Sequence, residues 1–498
     1  MTATQFDPRG TSLRELLPDA EFLGLDDLRI VACCGDSRAC SPGDLFVAMV
    51  GPRHDGHEFI PHAIANGAVA VLAERPLPAV GVPVVVVPDT RIAYGQVCQA
   101  LAGRPSRDIK VIGVSGTNGK TSVSCLIAAM LEQAGCAVGL LNSLGYCDGQ
   151  EFESPLWPTP PAPVLAHWLA RMRDNDCTHA VVEASSTALS QSYLSGVELD
   201  AACLTNIRSD HLRHHGSLTN YRAAKARLFD HLSPHGFAVI NADDPVSEGL
   251  LPKLNGPALT VSLREDAEIT ATLLERCRSE QTFLISAGTD TIPVRTPIIG
   301  DAHITNCLLA AAIGLTYGLD LPTIARGLES VKKIPGRLER IECGQPFGVF
   351  VDESATADRL ANALLTLREV TQGRLICVAS IGEGTAAKRH DFSKAAEGIA
   401  DVVVATGESS RDMESGNAAS RAIHGISSSE NFHVVRDREL AIRWALNDAR
   451  PGDCVLITGD RRGVGRLLSA AEHETGDRAL AKEWLYDQGA FLAPTSYR

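Results

Sequence analysis

The sequence has no surplus of basic residues. Its 46 lysines and arginines are outnumbered by 60 aspartates and glutamates, which gives a formal net charge of −14 at pH 7. Proteins that bind nucleic acid usually present a basic face, so this balance argues against that class. The sequence also lacks an uninterrupted apolar run of membrane-spanning length, and its first residues lack a basic region followed by an apolar one. We therefore expect a cytoplasmic protein with no membrane insertion and no nucleic acid partner.

The cysteines, although there are 14 of them, show no recognisable spacing. Cys33, Cys34 and Cys40 match neither the spacing of zinc ligands nor the short chain of a disulfide-rich scaffold. We expect them to be reduced thiols in the core.

The length of 498 residues predicts about three domains, because a domain commonly holds ~150 residues. The hydrophobic content of 45% is enough to give each domain a core. Short apolar runs alternate with helical segments over residues 1–107, which indicates a small α/β domain. A linker containing glycine and proline, 103–108, precedes a second α/β unit over 108–335.

The stretch 111–122 predicts a strand, a phosphate-binding loop and a helix. The β-branched run ends at Gly116-Thr-Asn-Gly-Lys-Thr121, and apolar residues then recur at helical spacing. Glycines let backbone N–H groups close around phosphate oxygens, Lys120 would reach the outer phosphates, and the Thr121 hydroxyl would ligate Mg²⁺. The strict pattern would place its first glycine at position 114, which is valine. The alternative is an ordinary glycine-rich turn, but the strand before it and Lys-Thr after it favour a nucleoside triphosphate site.

Polar residues follow two further predicted strands of this unit. Glu183 ends one strand, and Asn206, Asp210 and His211 follow another. Parallel sheets place ligand-binding residues at the carboxyl ends of their strands, so Glu183 is the best candidate for a Mg²⁺ ligand. Local sequence leaves His211 equally open to a loop role, and it favours a helix-surface charge for Lys225.

Several motifs, in register along nearly the whole chain, resemble those of the Mur ligases. They are Gly116-Thr-Asn-Gly-Lys-Thr121, Glu183-Ala-Ser-Ser186, Thr205-Asn206 with Asp210-His211, His215-Gly216, Tyr221 through Lys225 with Leu228-Phe229, Asn241-Ala-Asp-Asp-Pro245, Gly300 through Asn306, and Pro335-Gly-Arg-Leu-Glu-Arg340. The N-terminal motifs resemble the UDP-N-acetylmuramoyl-tripeptide synthetase branch of that family: Asp36-Ser-Arg38, Pro42-Gly-Asp-Leu-Phe46 and Asp55-Gly-His57.

The resemblance implies a three-domain α/β fold and an ATP-dependent amide ligase. Residues 1–107 would bind the nucleotide sugar, residues 108–335 would form a central P-loop ATPase with a mostly parallel sheet, and residues 336–498 would form a Rossmann-like domain for the incoming amino acid. The implied reaction activates a carboxylate of UDP-N-acetylmuramoyl-L-Ala-D-Glu as an acyl phosphate and adds the third amino acid, a step of peptidoglycan precursor synthesis. Such phosphoryl transfer depends mainly on positioning and on cations.

The resemblance also implies individual roles. Four residues would be catalytic: Lys120, Glu183, His211 and Lys225. The ATP site would comprise Gly116, Thr117, Asn118, Gly119, Lys120, Thr121, Ser122, Asn306, Arg337 and Asp352. Magnesium would be held by Thr121, Glu183, His211 and Lys225, the last as a carbamate. The UDP-sugar substrate would lie on Ser37, Asn142, Thr159, Ser185 and Gln191.

The sequence departs from the family mostly beyond residue 340. The family's Asp-Tyr-Ala-His-Thr-Pro is here Asp352-Glu-Ser-Ala-Thr-Ala357, and Asp-Asn-Pro-Arg, which selects meso-diaminopimelate, is Glu408-Ser-Ser-Arg411. The closing Lys-Gly-His-Glu is Asp460-Arg-Arg-Gly463, which loses an amine-recognising carboxylate and gains two cations. These changes should disfavour an incoming diamine, while Arg411 is retained as a contact for the acid. In the substrate region, Thr187 replaces a histidine and Tyr193 replaces an arginine.

Two functions remain open from the sequence. The first is an active ligase whose third residue is unassigned, favoured by the phosphate loop, Glu183, His211 and Lys225. The second is a paralogue that binds nucleotide or the UDP-muramyl peptide without ligating, favoured by the changes beyond residue 340. A folate-type glutamate ligase is a weaker third alternative, because it leaves the N-terminal motifs unexplained.

Overall fold

The structure, a computed structural model, describes residues 10–24, 26–51, 54–77, 81–208, 215–264, 266–354, 356–380, 386–406, 431–459 and 476–487. Three large sheets, each mostly parallel, follow one another along these residues. The α/β class predicted from the sequence is confirmed. Every helix among the described segments is too short or too polar to cross a membrane.

The N-terminal sheet has five strands in the order β2-β7-β6-β5-β4, with only β2 antiparallel to its neighbour. Two further short strands, β1 and β3, form a separate antiparallel pair. The strands are β1 (Thr11–Ser12), β2 (Glu21–Leu23), β3 (Arg29–Ile30), β4 (Cys33–Cys34), β5 (Leu45–Val47), β6 (Ala70–Ala73) and β7 (Val84–Val86). The helices are Leu13–Leu16, Ile60–Ala65 and Thr90–Leu101, with 3-10 turns at Gly56–Phe59 and Pro105–Arg107. The short apolar runs of this part thus form strands, as the sequence predicts.

One expectation about the cysteines fails in this sheet. Cys34 and Cys40 are joined as a disulfide, and their Cα atoms are 5.9 Å apart. The reason is a turn that spacing alone does not reveal: the Ala39 amide donates to the Asp36 carbonyl at 2.9 Å, which folds the chain back after β4.

The central sheet has eleven strands in the order β11-β10-β9-β12-β8-β13-β14-β15-β16-β17-β18. The seven from β9 to β16 run parallel, and antiparallel strands complete both edges. Those from β8 to β13 are β8 (Lys110–Ser115), β9 (Val138–Leu141), β10 (Tyr146–Cys147), β11 (Phe152–Glu153), β12 (His179–Glu183) and β13 (Leu199–Leu204). The remainder are β14 (Leu232–Asn241), β15 (Ala258–Ser262), β16 (Ile269–Arg276), β17 (Gln281–Ala287) and β18 (Asp290–Thr296).

Helices cover both faces of β8, which explains its unbroken apolar sequence. Ile112 and Val114 join a core cluster on one face, and Val111 joins a second cluster on the other. The helices of this part are Lys120–Gln133, Ala162–Asp174, Ser186–Ser190, Leu218–Ala226, Pro245–Glu248, Asp301–Thr316 and Leu321–Ser330, with 3-10 turns at Arg227–His231 and Leu251–Lys253. Because β8 lies between β12 and β13 and runs parallel to both, the carboxyl ends of the three strands lie side by side at one edge of the sheet.

The third sheet has the order β19-β20-β24-β21-β22-β23, parallel except for β19. Its strands are β19 (Glu339–Arg340), β20 (Gly348–Asp352), β21 (Leu375–Ser380), β22 (Val402–Thr406), β23 (Phe432–Val434) and β24 (Cys454–Thr458). Its helices are Ala357–Val370, Ala386–Glu397, Arg438–Asp448 and Asp477–Asp487. The predicted domain boundaries after residues 107 and 335 fall between the three sheets and stay predictions.

The helix Ala357–Val370 connects the third sheet to the central part. Near its start, the Asn118 amide lies 3.4 Å from the Asp358 carboxylate, and near its end Glu369 pairs with Arg276. Between them, Thr366 lies against Gly300, where an added Cβ would come within 2.9 Å of the threonine side chain. The third sheet is therefore held close to the phosphate loop.

Candidate functional site

The phosphate loop needs glycine at two positions. Gly116 and Gly119 have φ angles of 147° and 88°, which side-chain-bearing residues rarely adopt. A Cβ added at Gly116 would lie 1.8 Å from the Thr205 hydroxyl, and one at Gly119 would lie 2.6 Å from the Asn306 side-chain oxygen. Thr205 and Asn306 therefore pack tightly against the loop. Gly119 is the N-cap of the helix Lys120–Gln133.

Lys120 bends back over this loop. Its ammonium donates to the carbonyls of Gly116 and Thr117 at 3.0 and 3.1 Å. The cation thus lies beside the backbone of the loop, and its contact with the outer phosphates stays a prediction.

Thr121 and Glu183 meet where β8 and β12 end. The Thr121 hydroxyl donates to the Glu183 carboxylate at 2.9 Å, and the Ser143 amide donates to the same carboxylate oxygen at 3.2 Å. The hydroxyls of Thr121 and Ser143 are also 2.9 Å apart. The two hydroxyls and the carboxylate offer oxygen ligands, which a hard cation such as Mg²⁺ prefers, so the cluster fits the predicted ion.

Lys225 is buried, contrary to the helix-surface position that its local sequence favours. It is 1% exposed, and its ammonium donates to the Gly116 carbonyl at 2.6 Å. The ammonium also lies 5.0 Å from the Tyr221 ring, whose hydroxyl is 2.8 Å from that of Thr117. The helix Leu218–Ala226 therefore brings Lys225 to the phosphate loop; its carbamylation stays a prediction.

Arg337 reaches the loop from the start of the third unit. One guanidinium nitrogen lies 3.5 Å from the Thr121 hydroxyl, and another donates to the Glu353 carboxylate at 2.8 Å. Burial alone would lower the pKa of Arg337, but Glu353, Asp352 and Glu183 raise it above its ordinary value. Arg337 is thus a permanent cation beside the predicted magnesium ligands.

Asp352 acts on Arg337 through the backbone. Its carboxylate accepts from the Leu338 amide at 2.9 Å and from the Ser354 hydroxyl. It therefore fixes the turn that carries Arg337, and contact with nucleotide stays a prediction for this residue.

The other predicted ATP-site residues surround the loop. The Asn118 backbone is held by the Asn206 side chain, with N–O distances of 3.0 and 3.1 Å. Asn306 lies in the helix Asp301–Thr316, with its side-chain oxygen facing Gly119. Ser122 is buried in the first turn after the loop.

Two of the predicted substrate residues lie beside Glu183. The Thr159 hydroxyl donates to the Glu183 carbonyl at 2.7 Å and accepts from the Ser185 amide at 2.9 Å. Asn142 is fully buried, and its side chain holds the chain that follows β9, donating to Ser124 and accepting from Leu144.

The remaining substrate residues lie elsewhere. Ser37 belongs to the β4–β5 connection, where its hydroxyl is 3.0 Å from the His62 ring. Gln191 follows the helix Ser186–Ser190. His211 and Arg411 lie outside the described residues, as do Asp210, 408–411 and 460–463.

Four residues that contact this site have no role predicted from the sequence. They are Ser143, Tyr221, Glu353 and Asp358. Tyr221 stands in a recognised motif, and Ser143 follows β9, which neighbours β12, so position at a strand end was an available signal. Glu353 and Asp358 carry no such signal in the sequence, because their contacts depend on how the third sheet packs against the central one.

Comparison with known proteins covers most of the chain. Three family models match: "Mur ligase family, catalytic domain" over residues 29–102, "Mur ligase middle domain" over 114–314, and "Mur ligase, glutamate ligase domain" over 336–461.

Relatives match nearly end to end. The UDP-N-acetylmuramoyl-L-alanyl-D-glutamate–2,6-diaminopimelate ligase of Geobacillus thermodenitrificans is 36% identical over 461 residues, covering 91% of this chain and 94% of its own. The UDP-N-acetylmuramyl-tripeptide synthetase of a Roseiflexus species is 35% identical over 448 residues, covering 85% and 88%. A solved structure of a UDP-N-acetylmuramoyl-L-alanyl-D-glutamate–2,6-diaminopimelate ligase superimposes with a TM-score of 0.70 at 26% identity, covering 96% of this chain and 99% of the other. The chain therefore belongs to the Mur ligase family.

Proposed function

We propose that the protein is an ATP-dependent ligase that adds the third amino acid to UDP-N-acetylmuramoyl-L-Ala-D-Glu. The observation that carries the proposal is the meeting of Thr121, Glu183 and Arg337 at the end of β8. The relatives' names supply the substrate class, and neither those names nor the described contacts favour the alternative of a binding protein that does not ligate. Because the reaction consumes ATP, we propose the cytoplasm as its compartment.

The reaction has two balanced steps. A substrate carboxylate attacks the terminal phosphorus of ATP, ADP leaves, and an acyl phosphate forms. The incoming amine then attacks the acyl carbon, phosphate leaves, the amine loses a proton, and an amide remains. Most of the catalytic work is to hold the reacting groups in line and to offset negative charge.

The cations of this chain are placed for the first step. Lys120 lies over the loop and Arg337 lies beside Thr121, so both can approach the outer phosphates from different sides. Glu353 holds Arg337 by an ion pair in which both side chains are mostly buried, which fixes the direction of the guanidinium. Such prearranged charges stabilise a transition state without reorganising solvent.

Thr121 and Glu183 would hold magnesium, which would supply charge neutralisation on the phosphates. We also propose that Lys225 is the lysine that is carbamylated in the family. Its support is position: the side chain is buried and its nitrogen lies against the phosphate loop.

The test is phosphate release from ATP with Mg²⁺ and UDP-N-acetylmuramoyl-L-Ala-D-Glu, across a panel of single amino acids. We expect release that needs both the UDP substrate and one amino acid and that is lost in Lys120→Ala. Lys253→Ala, which removes an exposed lysine from the turn Leu251–Lys253, is the matched control and should behave as the parent does. Nucleotide binding with no release under any combination would refute the proposal.

The same panel assigns the third residue. The relatives' names point to diaminopimelate, whereas the sequence at 408–411 and 460–463 predicts that a diamine is disfavoured. Release that is greatest with diaminopimelate would show that prediction to be wrong.

A further inference from the structure

Two cysteines bracket the loop that carries the Asp36-Ser-Arg38 motif. Cys34 ends β4, Cys40 follows the motif, and the two are joined as a disulfide in the structure. Their Cα separation of 5.9 Å lies within the range that a disulfide spans. The bond therefore closes a ring of seven residues around the motif.

The motif inside this ring is held from outside by one helix. The Ser37 hydroxyl is 3.0 Å from the His62 ring nitrogen, and the Asn66 side chain donates to the Ser37 carbonyl at 2.8 Å. Ser37 is buried, whereas the neighbouring Arg38 is exposed. The ring thus presents one face to the helix Ile60–Ala65 and one face to solvent.

We propose that Cys34 and Cys40 form a reversible thiol–disulfide couple that fixes the 36–38 loop for binding of the UDP-linked substrate. The proposal rests on the proposed function, because the substrate role of Ser37 belongs to it. A closed ring of this size restricts the conformations of the unbound loop, and a loop already ordered loses less entropy when it binds. Reduction should therefore weaken substrate binding.

The chemistry needs a thiol–disulfide exchange partner, which we take to be a low-molecular-weight disulfide such as oxidised glutathione. One cysteine thiolate attacks a glutathione sulfur and expels one glutathione thiolate. The second cysteine then attacks the mixed disulfide and expels the other, and the two protons lost by the cysteines are gained by the leaving thiolates. Two protein thiols are oxidised and one glutathione disulfide is reduced.

The low solvent exposure of Cys34 and Cys40 means that the 36–38 loop must open before glutathione can reach the sulfur atoms. Cys34 and Cys40 are 9% and 8% exposed, but Arg38, Ala39, Ser41 and Pro42 around them are exposed. Cytoplasmic disulfides are commonly transient and respond to redox conditions, which agrees with the proposed compartment.

The same thiols could instead hold a metal ion, because the Asp44 carboxylate lies within 4.8 Å of both sulfur atoms. Asp44 already accepts from the Ser41 amide at 2.8 Å, and the three side chains are one short of the usual four zinc ligands. We therefore favour the disulfide and make the metal an outcome of the test.

The first measurement detects the bond without any activity. The full-length protein is equilibrated in glutathione buffers of stepped reduced-to-oxidised ratio, its thiols are alkylated, and trypsin is added. Cleavage after Arg38 separates peptide 30–38 from peptide 39–53, so the two stay together only if a disulfide joins them. We expect the linked pair in oxidising buffer and its loss in Cys34→Ser and in Cys40→Ser.

Cys33→Ser is the matched control. Cys33 lies on the same strand and in the same tryptic peptide, but its sulfur is 3.8 Å from that of Cys98. The linked pair should persist in this variant, which assigns the bond to Cys34. Complete alkylation of Cys34 and Cys40 in every buffer would overturn the proposal, as would one zinc ion per chain in the purified protein that is lost in Cys34→Ser.

The second measurement is the Kd of UDP-N-acetylmuramoyl-L-Ala-D-Glu by calorimetry in oxidising and in reducing buffer. We expect reduction to raise the Kd roughly tenfold in the parent and in Cys33→Ser. This change corresponds to part of the loop-closure free energy that a disulfide ring of this size provides. Cys40→Ser should bind equally in both buffers. Equal binding by the oxidised and the reduced parent would overturn the proposed effect on the loop. No binding in either buffer would overturn both this proposal and the proposed substrate. Binding of the UDP substrate with no ligation would count against the proposed function alone.

Discussion

Two tyrosines whose hydroxyls are buried should respond in opposite ways to loss of that hydroxyl. Tyr221 is fully buried, and its hydroxyl is 2.8 Å from that of Thr117 in the phosphate loop. The Tyr317 hydroxyl is buried and has no hydrogen-bond partner in the described structure. Tyr221→Phe removes one net hydrogen bond and should lower the free energy of unfolding by about 1 kcal/mol. Tyr317→Phe removes an unsatisfied polar atom and should raise that free energy by a similar ~1 kcal/mol.

The ring contacts of both residues survive the change, which isolates the hydroxyl. The Tyr221 ring stays 5.3 Å from the His215 ring, and the Tyr317 ring stays 5.2 Å from the His179 ring. Both tyrosines belong to the central part of the chain, so urea unfolding reports them in one transition whose slope should not change. Tyr221→Phe should also raise the KM for ATP several-fold, because Thr117 would lose an anchor, whereas Tyr317→Phe should not. Midpoints that move in the same direction would refute the reasoning.

Three further predictions test the site and its support. Glu183→Gln should cut phosphate release by about 100-fold or more, because a neutral amide is a poorer magnesium ligand; a Mg²⁺ titration checks this, and unchanged dependence on Mg²⁺ would remove Glu183 from the metal site. Arg276→Ala should lower the free energy of urea unfolding by about 1–3 kcal/mol, because the Arg276 side chain is 6% exposed and joins Glu369 to the central sheet. Arg295→Ala breaks the exposed pair with Glu280 and should change that free energy by less than about 1 kcal/mol. Equal losses in the two variants would contradict this prediction. Burial lowers the pKa of His303 from 6.5 to about 4. As the pH falls from 6.5 to 4, the unfolded chain binds a proton at His303 that the folded chain does not, so the free energy of unfolding falls by about 3 kcal/mol. His303→Gln should flatten the pH dependence of urea unfolding over that window, and an unchanged pH dependence would count against this reasoning.

The parts of the site that local sequence could predict are those built at strand ends. The phosphate loop follows β8 directly, and Glu183 ends β12, so a strand pattern followed by a polar residue located both. Their contact through Thr121 follows from the pairing of β8 with β12, which parallel α/β order makes probable but which no local pattern specifies.

The contacts that local sequence patterns did not predict all depend on packing between separate segments, although the family resemblance had already assigned Lys225 to the site. Lys225 looks like a surface charge in isolation, because burial depends on where the helix Leu218–Ala226 docks. Glu353 stands where the family has an aromatic residue, and its pairing with Arg337 requires the turn held by Asp352. The Cys34–Cys40 bond likewise depends on a turn stabilised by a backbone hydrogen bond.

The helix Ala357–Val370 has the geometry of a lever arm. Its Glu369 end is anchored to Arg276, and its Asp358 end lies at Asn118 of the phosphate loop. Eleven residues separate the two contacts, a span of about 16 Å, so a rotation of ~10° about the anchored end moves the tip by about 3 Å. A swing of that size would break the contact with Asn118 while the ion pair between Glu369 and Arg276 holds, so the loss of one contact does not require the loss of the other.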